Sequence, residues 1–260
     1  MIKHDDSPIF RDGNLLILAY DHGTEHGPSD FEVNPESADP KNVFETAKND
    51  SFTVLAVQKV LAETYYSDYE DDVNLMVKLN GNSSLGERDD YYSPKQCSVR
   101  YAVKELGASA VGYTMYAGSD YEDKMWQEFR EVQEEARKYG VPVVMWAYPR
   151  GNGIENNPKY DGGTDTDVIA YAARLGLEMG ADVVKCKYPG SEEDTERVIR
   201  NIGDLKFVMS GGSKRSDEEF IEDVESVMVA GGNGLAVGRN VFQRENPNEI
   251  LNELEEVVFE

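Results

Sequence analysis

Short apolar runs alternate with amphipathic stretches along almost the whole chain, and most of the runs are apolar on both faces. Eight of them read as strands: residues 14–20 (NLLILAY), 53–58 (TVLAVQ), 74–79, 109–115, 141–148, 181–188 (ADVVKCKY), 206–209 and 234–237. Between them, residues 42–48, 99–106, 121–139, 165–179, 192–200 and 217–230 read as helices, and residues 250–258 form a last one. Gly140 and Gly180 stand where two of these helices should stop. Strands buried on both faces and separated by helices make a parallel sheet with helices over it. Eight such units in 260 residues fit one closed (β/α)8 barrel. The expected fold class is therefore α/β, a single TIM-barrel domain over residues 1–260. A doubly wound open sheet is the alternative, but its first strand should enter a glycine-rich nucleotide turn. Here it enters DHGTEHGP.

One strand breaks the apolar rule. ADVVKCKY carries Lys185 and Lys187 two positions apart, and side chains alternate across a strand, so both ammonium groups are expected on one face. Buried like charges are costly, and such a conflict marks a functional site. In a barrel that site lies at the carboxyl ends of the strands. The other chemistry-bearing residues fall at those ends too: Asp21 and His22, Gln58 and Lys59, Lys78 and Asn80, Trp146 and Tyr148.

Charge narrows the partners. Fifty acidic against 26 basic residues give a net charge of -24, which argues against nucleic acid and anionic membranes. The acids are spread along the chain, as expected of a folded surface in a salt-rich, halophilic cytoplasm. With 40% hydrophobic residues the chain is not a disordered acidic tract. No apolar run reaches the ~20 residues of a membrane span and residues 1–11 hold no signal-peptide core, so a cytoplasmic location is expected. Cys97 and Cys186 make neither a disulfide framework nor a metal pattern. His22 and His26 flank Glu25 without further ligands, and no metal site is expected.

The chemistry of the lysine strand follows from its surroundings. A lysine becomes a nucleophile when burial or a nearby cation lowers its pKa. Lys185 is the candidate nucleophile, with Lys187 as the neighbouring cation. Such an amine attacks a ketone to give an iminium, an electron sink for carbon–carbon cleavage. Tyr148 shares strand parity with Trp146 and can move the proton of a substrate hydroxyl, Trp146 can wall the pocket, and Asp21 can orient the iminium. The last two strands open into Ser210-Gly211-Gly212 and Gly238-Arg239-Asn240, the usual phosphate position of such barrels. Glycines there let amides approach phosphate oxygens, and Arg239 adds a bidentate donor. The bland reading, lysines that only pair with Asp21 or with phosphate, stays open at this point.

The strings LAYDHGTEHGPSDF, NPESADP, KLNGNSS, LGASAVGYTMYAGS, WAYPRG, ADVVKCKY, SGG and AVGRNVFQ occur in this order. Together they resemble the archaeal-type class I fructose-1,6-bisphosphate aldolases, a Schiff-base family of the DeoC and FbaB kind on a TIM barrel. The resemblance runs from about Leu15 to Gln243. It implies that Lys185 forms the Schiff base and Tyr148 is the general acid/base, with Trp146 beside it. It implies that Asp21, His22, His26 and Gln58 line the substrate site. Ser210, Gly211, Gly212, Gly238 and Arg239 would hold the dihydroxyacetone phosphate end, with Arg150 and Lys187 near the rest of the sugar bisphosphate. It further implies reversible cleavage to dihydroxyacetone phosphate and glyceraldehyde 3-phosphate in glycolysis and gluconeogenesis, no metal or other cofactor, and a homo-oligomer. VKCKYPGS departs from the threonine-containing continuation common in the family, and the loop at residues 152–164 is longer and richer in Asn and Gly.

The same family contains synthases of aromatic amino acid precursors, making 6-deoxy-5-ketofructose 1-phosphate or an aminodideoxyheptulosonate. In the latter branch the tryptophan before YPRG and the second lysine are typically replaced, whereas Trp146 and Lys187 are present here. Two further readings use the barrel differently: a phosphosugar isomerase or synthase with Lys185 only as a charge, and a non-catalytic sugar-phosphate binder.

Overall fold

In the computed structural model, which describes residues 6–21, 23–86 and 89–260, eight parallel strands hydrogen-bond in chain order and close on themselves. They are β1 (Leu15–Tyr20), β2 (Val54–Gln58), β3 (Leu75–Lys78), β4 (Ala110–Ala117), β5 (Val143–Pro149), β6 (Val183–Cys186), β7 (Lys206–Ser210) and β8 (Gly234–Val237). The helices are α1 (Gly23–His26), α2 (Pro40–Ala47), α3 (Lys59–Tyr65), α4 (Val99–Lys104), α5 (Glu122–Tyr139) and α6 (Asn152–Glu155), then α7 (Thr166–Met179), α8 (Glu192–Arg200), α9 (Asp217–Val229), α10 (Arg239–Phe242) and α11 (Asn248–Phe259). Among the described residues no helix is long and apolar enough to cross a membrane.

Closure excludes the open doubly wound sheet. The seam pairs Leu15 with Gly234 and Leu18 with Val237. It needs glycine at 234, where φ is +109° and a Cβ would stand 1.9 Å from Leu15 O. The two layers of core follow from strand alternation. Inward-facing Ile17, Val54, Ala56, Met76, Ala110, Val144, Val183, Val208 and Ala236 fill the barrel, and Ile9 from the N-terminal segment joins them. Outward-facing Leu16, Leu18, Leu55, Val77, Val184, Phe207 and Leu235 pack against the helices.

Element ends follow local chemistry. Gly140 and Gly180 end α5 and α7 in the left-handed conformation (φ 69° and 79°), as their sequence positions predict. Asp39, Ser98, Asp165, Ser191 and Ser216 cap α2, α4, α7, α8 and α9, each accepting a hydrogen bond from a first-turn amide. The crossover from β2 to β3 contains a helix, α3, that the hydrophobic pattern does not announce. Its seven residues are too few for a visible period, and only Ala62 among them is buried. Lys59 therefore begins a helix and pairs with Glu63 (3.4 Å) rather than ending β2.

Candidate active site

At the carboxyl ends of the strands the inward positions stop being apolar. They become Asp21 after β1, Lys78 on β3, Thr114 on β4, Trp146 and Tyr148 on β5, Lys185 on β6 and Ser210 on β7. These residues line one cavity of about 490 Å³, together with Glu25, His26, Arg150, Lys187, Gly211, Gly212, Arg215, Asp223, Gly238 and Arg239. Six Lys and Arg side chains (78, 185, 187, 150, 215, 239) face three carboxylates (21, 25, 223) in this cavity. On a protein whose net charge is -24, a cavity with excess positive charge attracts anions locally.

Lys185 sits in the middle of it. β6 places it beside Trp146 of β5 and Val208 of β7 in register. Its side chain is 5% exposed, and its Nζ lies 4.8 Å from the Trp146 ring centroid. Burial pulls its pKa down to about 8; Asp21 opposes that shift, and the positive charge of Lys78 adds to it.

The neighbouring cation is therefore not the one the strand pattern suggests. β6 ends at Cys186, so alternation stops governing direction before Lys187. Lys187 Nζ instead comes within 3.3 Å of where a side chain on Gly163 would begin. Burial and the charge of Arg150 lower its own pKa, with Glu155 of α6 opposing. It faces the loop at residues 152–164, and it lines the cavity from that side.

Lys78 is what sequence reading left without a role. It is 1% exposed, pairs with Asp21 at 3.2 Å, and sits 5.3 Å from the Trp146 ring centroid. The signal was available, since a lysine ending an otherwise apolar strand breaks the same rule as Lys185.

Tyr148 is half-buried at the end of β5 and held as a phenol. Burial raises its pKa well above 10, and the charges of Asp21 and Glu25 raise it further, while Arg150 opposes. The Arg150 guanidinium stands 5.6 to 5.8 Å from the rings of Tyr91, Tyr116 and Tyr148.

Two turns form the opposite end. Gly211 lines the cavity, but its N–H donates to Ala236 O at 2.9 Å and is spent on the barrel. Asn240, fully buried, gathers the β7 turn: its Nδ2 donates to Gly211 O and Ser213 O, and its Oδ1 accepts from Arg215 N. Arg239 is ion-paired with Asp30 at 3.7 Å, and Asp30 also contacts His26 Nδ1 at 2.7 Å. Arg215 pairs with Asp223 on the same side. Gln58 is not part of the cavity lining. Its Nε2 donates to Asp21 O and Asn80 O, tying the ends of β1 and β3 together from behind. His22 lies outside the described residues. Among those described, no group of three or more His, Cys, Asp or Glu side chains is placed to hold a metal ion.

The site joins a desolvated lysine, a phenol and a cationic rim at the carboxyl end of a (β/α)8 barrel. The chain belongs to the DeoC/LacD family of aldolases, matched over residues 15–244. It is 52% identical over 262 residues, all of this chain and 96% of the other, to the class 1 fructose-bisphosphate aldolase of Halobacterium salinarum. It is 30% identical over 97% of its length, and 89% of the relative's, to the 2-amino-3,7-dideoxy-D-threo-hept-6-ulosonate synthase of the same species. Its fold superposes, with a TM-score of 0.89 and 42% identity over 97% of both chains, on an archaeal fructose-1,6-bisphosphate aldolase whose catalytic lysine is covalently bound to the carbinolamine intermediate of the substrate.

Proposed function

We propose that this protein is a Schiff-base-forming class I fructose-1,6-bisphosphate aldolase with Lys185 as its nucleophile. The observation that carries the reading is the burial of Lys185, whose pKa of about 8 leaves about a tenth of the amine neutral at pH 7, far more than an ordinary lysine keeps, inside a cavity otherwise rich in positive charge.

The neutral amine attacks the C2 carbonyl, forming the C–N bond, and its proton passes to the former carbonyl oxygen. Tyr148, held as a phenol, donates the proton with which that oxygen leaves as water, and an iminium results. A cation beside the phenolate lowers the phenol's pKa, so the iminium stabilises the base it has just helped to form. Tyr148 then takes the C4 hydroxyl proton while the C3–C4 electron pair moves into the iminium. Glyceraldehyde 3-phosphate leaves, the enamine is protonated at C3, and water returns the amine and dihydroxyacetone phosphate. The iminium is the electron sink, and the reaction proceeds without a metal or other cofactor. In this reading Asp21 and Trp146 shape the reacting centre, and Ser210, Gly212, Gly238 and Arg239 take one phosphate. Arg150 and Lys187 take the other, His26 lies beside the first turn, and Gln58 supports Asp21 from outside.

The runner-up, a synthase of the same family, is less favoured: the chain shares 52% of its residues with the aldolase and 30% with the synthase of one species. We take the enzyme to be a cytoplasmic homo-oligomer, as the family resemblance implies.

Borohydride reduction in the presence of dihydroxyacetone phosphate, followed by peptide mass mapping, tests the nucleophile. The adduct is expected on Lys185. No adduct there, or cleavage retained in Lys185→Arg, overturns the reading. Fructose 1,6-bisphosphate cleavage, assayed beside transfer to methylglyoxal at high salt, separates the aldolase from the synthase.

A further inference from the structure

Three carboxylates line the cationic cavity, and two of them are already paired within it. Asp21 pairs with Lys78 at 3.2 Å, and Asp223 pairs with Arg215. Glu25 of α1 has no ion pair among the described residues, and its Oε1 is shielded from solvent without a hydrogen-bond partner. Among the described residues of the cavity wall, the other polar side-chain atom left so is Trp146 Nε1. A shielded carboxylate oxygen without a partner is costly, and a ligand that brings a donor removes that cost. A phosphate dianion brings only acceptors and repels the carboxylate, whereas a sugar hydroxyl brings the donor. The charge of Glu25 acts on both Lys185 and Tyr148, so it faces the space between the amine and the phenol. With C2 held by Lys185 and the C4 hydroxyl served by Tyr148, the substrate hydroxyl in that space is the one on C3.

We propose that Glu25 binds the substrate directly, its carboxylate accepting a hydrogen bond from the C3 hydroxyl, the one that dihydroxyacetone phosphate keeps as its free hydroxyl after cleavage. The inference rests on Lys185 being the Schiff-base lysine, which fixes the place of C2. Glu25 exchanges no proton and forms no bond to carbon. Its part is selection: a ketone phosphate with a hydroxyl on the carbon beside the carbonyl pairs the orphaned oxygen, and a deoxy analogue leaves it buried and unpaired. A site built to pair a substrate hydroxyl rejects the analogue lacking it much more strongly than an apolar pocket tells apart one methylene. Holding the C3 hydroxyl also sets the rotation about C2–C3, on which the alignment of the C3–C4 bond with the iminium depends.

The test is the ketone concentration that gives half-maximal borohydride-trapped labelling of Lys185. It is measured for dihydroxyacetone phosphate and for hydroxyacetone phosphate, which carries hydrogen in place of the free hydroxyl. The unmodified protein is expected to take dihydroxyacetone phosphate at a concentration lower by about tenfold or more. In Glu25→Ala that concentration should rise roughly 10- to 100-fold, as when a charged hydrogen bond is lost, while that of hydroxyacetone phosphate moves by less than about threefold. Glu25→Gln keeps an acceptor without the charge and should fall between the two; it also carries the measurement if the alanine variant does not fold. Removing the carboxylate changes the proton affinity of Lys185 as well, but that acts on both ketones alike, so the ratio between them is the readout. A ratio unchanged in the variants, whether both ketones weaken together or neither does, overturns the role of Glu25 alone. Failure of the unmodified protein to be labelled at Lys185 overturns the nucleophile itself and the inference with it.

Discussion

Trp146 fits into the barrel because residue 112 has no side chain: a Cβ on Gly112 would stand 2.3 Å from Trp146 Cζ3 and 2.6 Å from Cη2. The indole is 2% exposed and forms one wall beside Lys185. Gly112→Ala must therefore displace the ring or β4. Such overpacking costs about 1–3 kcal/mol. A lower melting temperature, accompanied by slower trapping of Lys185, is the expected outcome. Calorimetry and the borohydride assay on the same preparation check it, and an unchanged melt would show that the ring is free to move.

In the proposed mechanism, removal of the Tyr148 hydroxyl takes away both the acid that completes water loss and the base that opens the C3–C4 bond. In Tyr148→Phe, kcat for cleavage is expected to drop by roughly 10²- to 10⁴-fold, the usual worth of a positioned acid or base. Lys185 keeps its amine, so the adduct still forms, more slowly. Steady-state kinetics and single-turnover trapping separate the two steps.

The pH dependence has a fixed sign. In the proposed mechanism Lys185 acts unprotonated, and its pKa is lowered to about 8, so kcat/KM should climb about tenfold per pH unit below that value and level off above it. A rate that instead declined as pH rose from 6 to 8 would contradict an amine nucleophile.

Asn240 binds the β7 turn to the β8 turn through three hydrogen bonds while fully buried. Asn240→Ala leaves those groups unpaired at a cost of about 1–3 kcal/mol. Its effect on catalysis should appear in KM for the phosphorylated substrate more than in kcat. Arg239→Met should also raise KM, by roughly 10- to 100-fold, as expected when a charged hydrogen bond of about 1.5–3 kcal/mol is lost. Inhibition by inorganic phosphate should weaken in parallel.

Because the proposed electron sink is the iminium, prolonged dialysis against a chelator should leave cleavage activity unchanged. Loss of activity on chelation, with recovery on adding a divalent ion, would argue for a different mechanism.

Much of this was legible in the sequence. The strand at residues 181–188 announced itself because a buried apolar run cannot carry lysines without a use for them, and Lys185 is indeed inside the barrel. The barrel itself was legible from eight double-faced apolar runs, because burial on both sides erases the alternation that a one-sided sheet would show. The turns at Ser210–Gly212 and Gly238–Arg239 were placed by their order alone. For Gln58, named from the family resemblance, a strand-end position does not say whether the side chain enters the cavity or braces its rim, and its amide donates to Asp21 O and Asn80 O. Asn240 gave no signal, since its side-chain partners lie 25 to 29 residues away, and the pairing of Asp30 with Arg239 gave none because it joins the two ends of the chain.

What the sequence by itself determined is the set of elements and their order, since hydrophobic periodicity and capping residues are local properties, and with them the one strand whose charges demanded a function. Only the tertiary structure decided which charges meet. Lys78 and Lys185 are separated by more than a hundred residues, yet both come to the Trp146 ring, while Lys187, two residues from Lys185, turns away where β6 ends. Electrostatic coupling depends on distance through space, and barrel closure sets that distance.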